Sequence, residues 1–215
     1  MSFRKNFLKI FVIFCVIATS IPLFSFAQTI GQQTVFFVGQ DYDYYSRTQI
    51  SAVLIYQTSK LNFYIDTSWW NSLSSPLQTQ VNAQLFYLAS YFENYDYPKL
   101  VATFGSEALP GYDGDSRIYI LIHPMQSKYL GYTRFEDTLL ASASNSSNQH
   151  EMVYLNPQIL LDQPAQQLGY YLSHEVLHLI SFNQKGIFIN AEDERWLAEA
   201  RSDYLSTFLG YNNVY

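Results

Sequence analysis

The apolar pattern of this chain changes period along its length, and that change limits the folds open to it. Thr34–Val38 reads as a strand. Ile50–Tyr56 and Leu61–Ile65 alternate apolar and polar residues around Thr58-Ser59-Lys60, which predicts a β-hairpin. Ile118–Ile122 is an unbroken run of strand formers, and Met152–Leu155 is a further strand closed by Asn156-Pro157. Helical spacing first intervenes after Ser74-Ser75-Pro76, a capping serine with proline in the first turn. Val81, Leu85, Leu88 and Phe92 then predict a helix to about Asn94. From Asp162 onwards helical spacing takes over, with Pro164 suited to a first turn and apolar residues at 168, 172, 179 and 182. This helix is expected to reach about Asn183, with Lys185-Gly186 as its cationic end and glycine stop. A last helix is expected from about Glu194 to Leu209. Strands first and helices later predict an α+β fold.

The stretch 123–150 has the weakest periodicity. Within it Gly131–Phe135 is a candidate short edge strand, and the Ser/Asn-rich Ala141–Gln149 is expected to be a mobile surface loop. Gly111–Ser116 contains Asp-Gly-Asp but lacks the further oxygen ligands and closing Glu of a calcium loop, so a turn is expected.

The first residues are expected to leave the mature protein. Arg4, Lys5 and Lys9 precede an apolar run from Ile10 to about Phe26, and Ser25-Phe26-Ala27 offers small residues to a signal peptidase. The expected division is a signal peptide at 1–27 and one domain at 28–215, secreted or extracytoplasmic, with no stable membrane span after cleavage. Cys15 is the one cysteine of the sequence and lies in that segment, so thiol chemistry and cysteine-based metal sites are excluded. Losing Arg4, Lys5 and Lys9, and no acidic residue, takes the formal net charge from −6 to −9. So acidic a chain is a poor partner for nucleic acid.

Chemistry concentrates in His174-Glu175-Val176-Leu177-His178, an H-E-x-x-H pattern inside the predicted helix. Residues four apart share one helical face, so both imidazoles can reach one tetrahedral Zn2+. Glu175 follows the first histidine and is the candidate general base, a carboxylate placed to take a proton from water at the metal. A catalytic zinc site needs a third protein ligand and an open position. Glu199, on the next predicted helix and 21 residues after His178, is the candidate. Asp203 lies one turn further on the same face and can orient a ligand imidazole through its free N–H. Glu192, Asp193 and Glu194 read as a solvated acidic face.

The H-E-x-x-H segment followed by Glu199-Ala200-Arg201-Ser202-Asp203 resembles the gluzincin metallopeptidases, whose thermolysin-like pattern is H-E-x-x-H and E-A-x-S-D. More closely, HEVLHLISFNQK and the later WLAEA look like the hyicolysin-type secreted metallopeptidases. So does the preceding YPKLVATFG…DGDSRIYILI…GYTRF…EMVYLN. The resemblance spans about residues 90–209. It implies a zincin-like N-terminal half in which a mixed β-sheet packs on the H-E-x-x-H helix. Its edge strand would pair with the backbone of an extended peptide or protein substrate. It also implies His174, His178 and Glu199 as zinc ligands, Glu175 as base and Asp203 as a supporting carboxylate.

Around the third ligand the family often reads WLNEG, where this chain has Ala198 and Ala200. The C-terminal helical half of gluzincins, which forms the other cleft wall and supplies an oxyanion donor, has no counterpart in the 16 residues after Glu199. Truncation there is therefore an expectation. The leading expectation is a secreted zinc endopeptidase. Its rivals are a zinc-binding module without turnover and an aromatic-rich adhesion domain. His123, between a strand and Pro124, is expected to be structural or exposed, and His150 has no ligand spacing.

Overall fold

A computed structural model describes residues 28–111, 113–185 and 192–211. The expected signal segment, the Gly186 stop and Tyr215 lie outside the described residues, as do the side chains of Glu192, Asp193, Glu194 and Arg201.

Six strands form one mixed sheet: β1 (Gln33–Phe37), β2 (Gln49–Gln57), β3 (Leu61–Asp66), β4 (Ile118–Ile122), β5 (Gly131–Thr133) and β6 (Met152–Leu155). Their spatial order is β1-β2-β3-β4-β6-β5. β3, β4 and β6 run parallel, while β1, β2 and β5 join by antiparallel pairing. The helices are α1 (Thr67–Ser72), α2 (Ser75–Tyr91), α3 (Tyr97–Phe104), α4 (Gln158–Asp162), α5 (Ala165–Lys185) and α6 (Glu192–Leu209). The fold is α+β with a mixed sheet. Among the described residues no helix is long and apolar enough to cross a membrane.

Period-two alternation explains how the sheet acquires two dry faces. Ile118, Ile120 and Ile122 of β4 point to the helices, where they join Leu85, Leu88, Leu168, Leu172 and Val176. Tyr119 and Leu121 point the other way and join Phe36, Leu54, Tyr64, Met152 and Tyr154. A strand covered on both faces reads as a continuous apolar run, as IYILI does. β3 departs from the expected alternation of exposure: all six of its residues are buried. Its polar members are held by partners. Asp66 caps α1 by accepting from the amides of Ser68 and Trp69, and Asn62 accepts from the Gln57 amide.

The far face is aromatic. Tyr42 stacks on Tyr132 and Tyr132 on Tyr154, each pair with centroids 4.2 Å apart. His123 is fully buried there, bonded through Nδ1 to Asp43 at 3.2 Å and through Nε2 to the Tyr132 hydroxyl at 3.0 Å. Its role is to tie β4 to the edge strand. His150 stacks on Tyr119 at 3.9 Å and bonds Asp113 at 2.8 Å, which fastens the Asp-Gly-Asp turn.

Two expectations need correction. The helix expected to end near Asn94 continues through a π-helical segment, Phe92–Asp96, into α3. Pro98 would break an unmodified helix, since it lacks an N–H. The wider turn instead places it in the first turn of α3, where no intrahelical donor is required. The segment Ala141–Gln149 lies at the surface as expected over its first residues and is tied down near its end. Asn148 Nδ2 donates to Asp137 (2.9 Å) and to the Tyr154 hydroxyl (2.8 Å), and Ser147 Oγ donates to the Leu139 carbonyl. Those contacts come from positions too distant in sequence for loop composition to reveal. The candidate edge strand is shorter than expected: β5 ends at Thr133, and Phe135–Thr138 forms a 3₁₀ turn.

Candidate metal centre

α5 packs across β5 and β6, and α6 returns antiparallel against α5. This brings together residues that the sequence separates. The donor atoms of His174, His178 and Glu199 all lie within 4.8 Å of one another. Glu199 Oε2 stands 3.4 Å from His174 Nε2, and Glu199 Oε1 stands 3.8 Å from His178 Nε2. Tetrahedral zinc with bonds near 2.1 Å needs ligand atoms about 3.4 Å apart, so small side-chain movements would complete the set. His178 is 9% exposed, whereas the Glu199 side chain is 53% exposed, so the centre is walled by α5 and open beside Glu199.

Charges around the two imidazoles act in opposite directions. Burial works to lower the His174 pKa, but Glu199, Glu175 and Asp203 outweigh it and hold the value up. Burial and the neighbouring His174 push His178 down to about 4, leaving the neutral ring that a metal requires. Asp203 thus acts on His174 electrostatically from the next turn of α6. Glu199 and Asp203 are placed together with His174 by the α5–α6 pairing.

Glu175 faces the sheet edge. It is 7% exposed, and Thr133 Oγ1 donates to its Oε2 at 2.9 Å. Burial raises the carboxyl to about 7, with His174 and the Thr133 hydroxyl opposing the rise. Gly131 matters here because a Cβ at that position would lie 2.7 Å from Glu175 Oε1 and 3.0 Å from the Tyr154 carbonyl. A Gly131→Ala substitution should therefore push the carboxylate aside. Misplacement by about 1 Å costs up to roughly a hundredfold in rate. Were the centre a zinc site with Glu175 as base, turnover should fall by about ten- to a hundredfold while zinc content stays unchanged, measured on the same preparation.

The end of α6 is docked by a buried network. The Tyr211 hydroxyl donates to Asp96 Oδ2 at 2.5 Å, and Ser173 Oγ, beside His174, donates to the same oxygen at 3.3 Å. Gly169 lies opposite: a Cβ there would stand 2.1 Å from the Tyr211 hydroxyl. Glycine inside a helix costs about 1 kcal/mol relative to alanine, a cost offset here by admitting the tyrosine. The sequence carried no signal for this network beyond a glycine within helical spacing.

Asp96 lends itself to a pH test. Its carboxyl is raised to about 6 by burial, against the pull of Tyr211, Ser173 and Lys99. A raised carboxyl stabilises the fold below its unfolded value near 4, and that stability is lost as pH climbs through 6. Asp96→Asn keeps an acceptor for Tyr211 and should flatten the fall in melting temperature between pH 4 and 7. The expected gain at pH 7 is about 1–3 kcal/mol.

No protein-family model matches the chain, and no curated protein matches it with significance.

Proposed function

We propose that this chain is a secreted zinc endopeptidase of the gluzincin type, with a zincin-like arrangement of sheet and metal-binding helix. The observation that carries the reading is the convergence of His174, His178 and Glu199 beside a carboxyl, Glu175, held against an edge strand. Two imidazoles and one carboxylate form a donor set suited to zinc, and three protein ligands leave a fourth position for water or substrate. Bound zinc would polarise a peptide carbonyl and acidify water at that position.

The remaining steps belong to the chain's own residues. Among the described residues β5 is paired on one side, with β6, so an extended peptide can add to its other side by backbone hydrogen bonding. Glu175 lies beside β5 at Gly131 and Thr133, where it can take a proton from water and pass it to the leaving amine. Thr133 holds one carboxylate oxygen, which leaves the other to face the reacting groups. Asp203 places negative charge near His174, which raises the basicity of that ring as a donor. Protein depleted of metal by a strong chelator should lose cleavage of an internally quenched peptide mixture and regain it with one equivalent of zinc. Cleavage that survives depletion would refute the assignment.

The 53% exposure of the Glu199 side chain favours one second reading, a zinc-binding module with little turnover. A cleft with one wall excludes water poorly. Stoichiometric zinc without cleavage of any member of the peptide mixture would select it.

A further inference from the structure

Beyond the metal centre, α5 forms one wall of a cavity of about 320 Å³ lined by Phe135, Leu139, Leu179, Phe182, Gly111 and Glu151, among others. Most of this lining is apolar; Thr138 and Asn183 add neutral polar groups, and Glu151 is its one ionisable residue. The Glu151 side chain is 3% exposed, yet its Oε1 has no hydrogen-bond partner. Glu107 behind it is 1% exposed. It accepts from the Tyr97 hydroxyl at 2.8 Å through one oxygen and leaves Oε2 without a partner. A buried carboxylate oxygen without a donor costs several times what a satisfied one does, and it calls for a cation or a proton. Burial, with like charge from Asp113 and Glu107, raises the Glu151 carboxyl to about 7, a penalty that a cation beside it would relieve. Glycine at 111 permits this placement, since a Cβ there would lie 1.6 Å from Glu151 Oε2.

The cavity is lined by near neighbours of the candidate centre's residues in the chain. Leu179 follows His178 directly, and Phe182 lies one turn further along α5. Phe135 stands two residues beyond Thr133, the partner of Glu175, and meets Phe182 edge-on with centroids 5.6 Å apart. One helical turn advances about 5.4 Å and an extended peptide about 3.3 Å per residue, so the cavity lies about two residues from a bond cleaved at the metal.

We propose that this cavity is a specificity pocket for a lysine or arginine side chain of the substrate. Its apolar walls take the methylene stem, and Glu151 receives the cationic end. The assignment rests on the peptidase reading, so the test separates binding from turnover. In the first arm, n-pentylamine and 1-pentanol are titrated into the full chain, its Glu151→Gln variant and a pocket-filling Leu139→Trp variant, followed by NMR shifts. The amine should bind the unaltered chain about tenfold or more tightly than the alcohol, the difference expected of a buried charge-assisted bond. Glu151→Gln should erase that preference and Leu139→Trp should weaken both ligands. Equal affinity for amine and alcohol in the unaltered chain would overturn the pocket.

In the second arm, a quenched peptide mixture is cleaved by the unaltered chain and by Glu151→Gln. Cleavage should favour lysine or arginine about two residues from the scissile bond by about tenfold, and the variant should cleave without that preference. Cleavage indifferent to basic residues would overturn the pocket and leave the peptidase reading intact. Amine preference without any cleavage would support the pocket and sink the peptidase reading.

Discussion

A His178→Ala variant should fold normally and lose stoichiometric zinc, with affinity reduced by at least about a hundredfold. That figure is the upper end of what removing a residue that merely supports a ligand costs, and removing a ligand itself costs more. His178 is the informative choice because its ring is buried against α5 and kept neutral by burial and by His174. Glu199→Ala should act in the same direction, since its two oxygens face both imidazoles at 3.4 and 3.8 Å. Metal content by elemental analysis and affinity by competition with a chromogenic chelator would read the result. One equivalent of zinc retained by both variants would place the site elsewhere.

The complementary expectation concerns Glu175. Glu175→Gln should keep zinc at one equivalent while lowering peptide hydrolysis by about 10²- to 10⁴-fold, the usual contribution of a positioned general base. The side chain keeps its volume, and an amide oxygen can still accept from Thr133. A stability signature accompanies this loss. Burial raises the Glu175 carboxyl to about 7, so without metal its stabilising effect is full near pH 4 and lost as pH rises through 7. Metal-free Glu175→Gln should therefore melt higher than the unaltered protein at pH 7–8. Equal loss of zinc in the Glu175 and Glu199 variants would contradict the division between base and ligand.

These two expectations depend on different kinds of information. The pairing of His174 with His178 is local: spacing of four along one helix places both rings on one face whatever surrounds it. The strands were legible for a related reason. IYILI and MVYL are apolar at every position because β4 and β6 are buried on both faces, and a continuous run of strand formers needs no distant partner to be read. The α+β order followed from where the periods change.

Other features depended on contacts between positions far apart in the chain. Spacing alone allowed Glu199 to face solvent; the pairing of α6 with α5, anchored by Tyr211 on Asp96, turns it toward the imidazoles. Ala141–Gln149 has the composition of a mobile loop but is held near its end by Asn148 bonding Asp137 and Tyr154, the latter in β6. Glu151 follows a histidine in an unremarkable stretch, and only the approach of Gly111 and α5 makes it a buried carboxylate in a cavity. The sequence by itself determined what a few consecutive residues share: a strand face, a helix face, a pair of imidazoles one turn apart. The tertiary structure alone decided which distant carboxylate meets those imidazoles and which carboxyl oxygen is left buried without a partner. Those energies arise from short-range contacts between groups that chain spacing does not bring together.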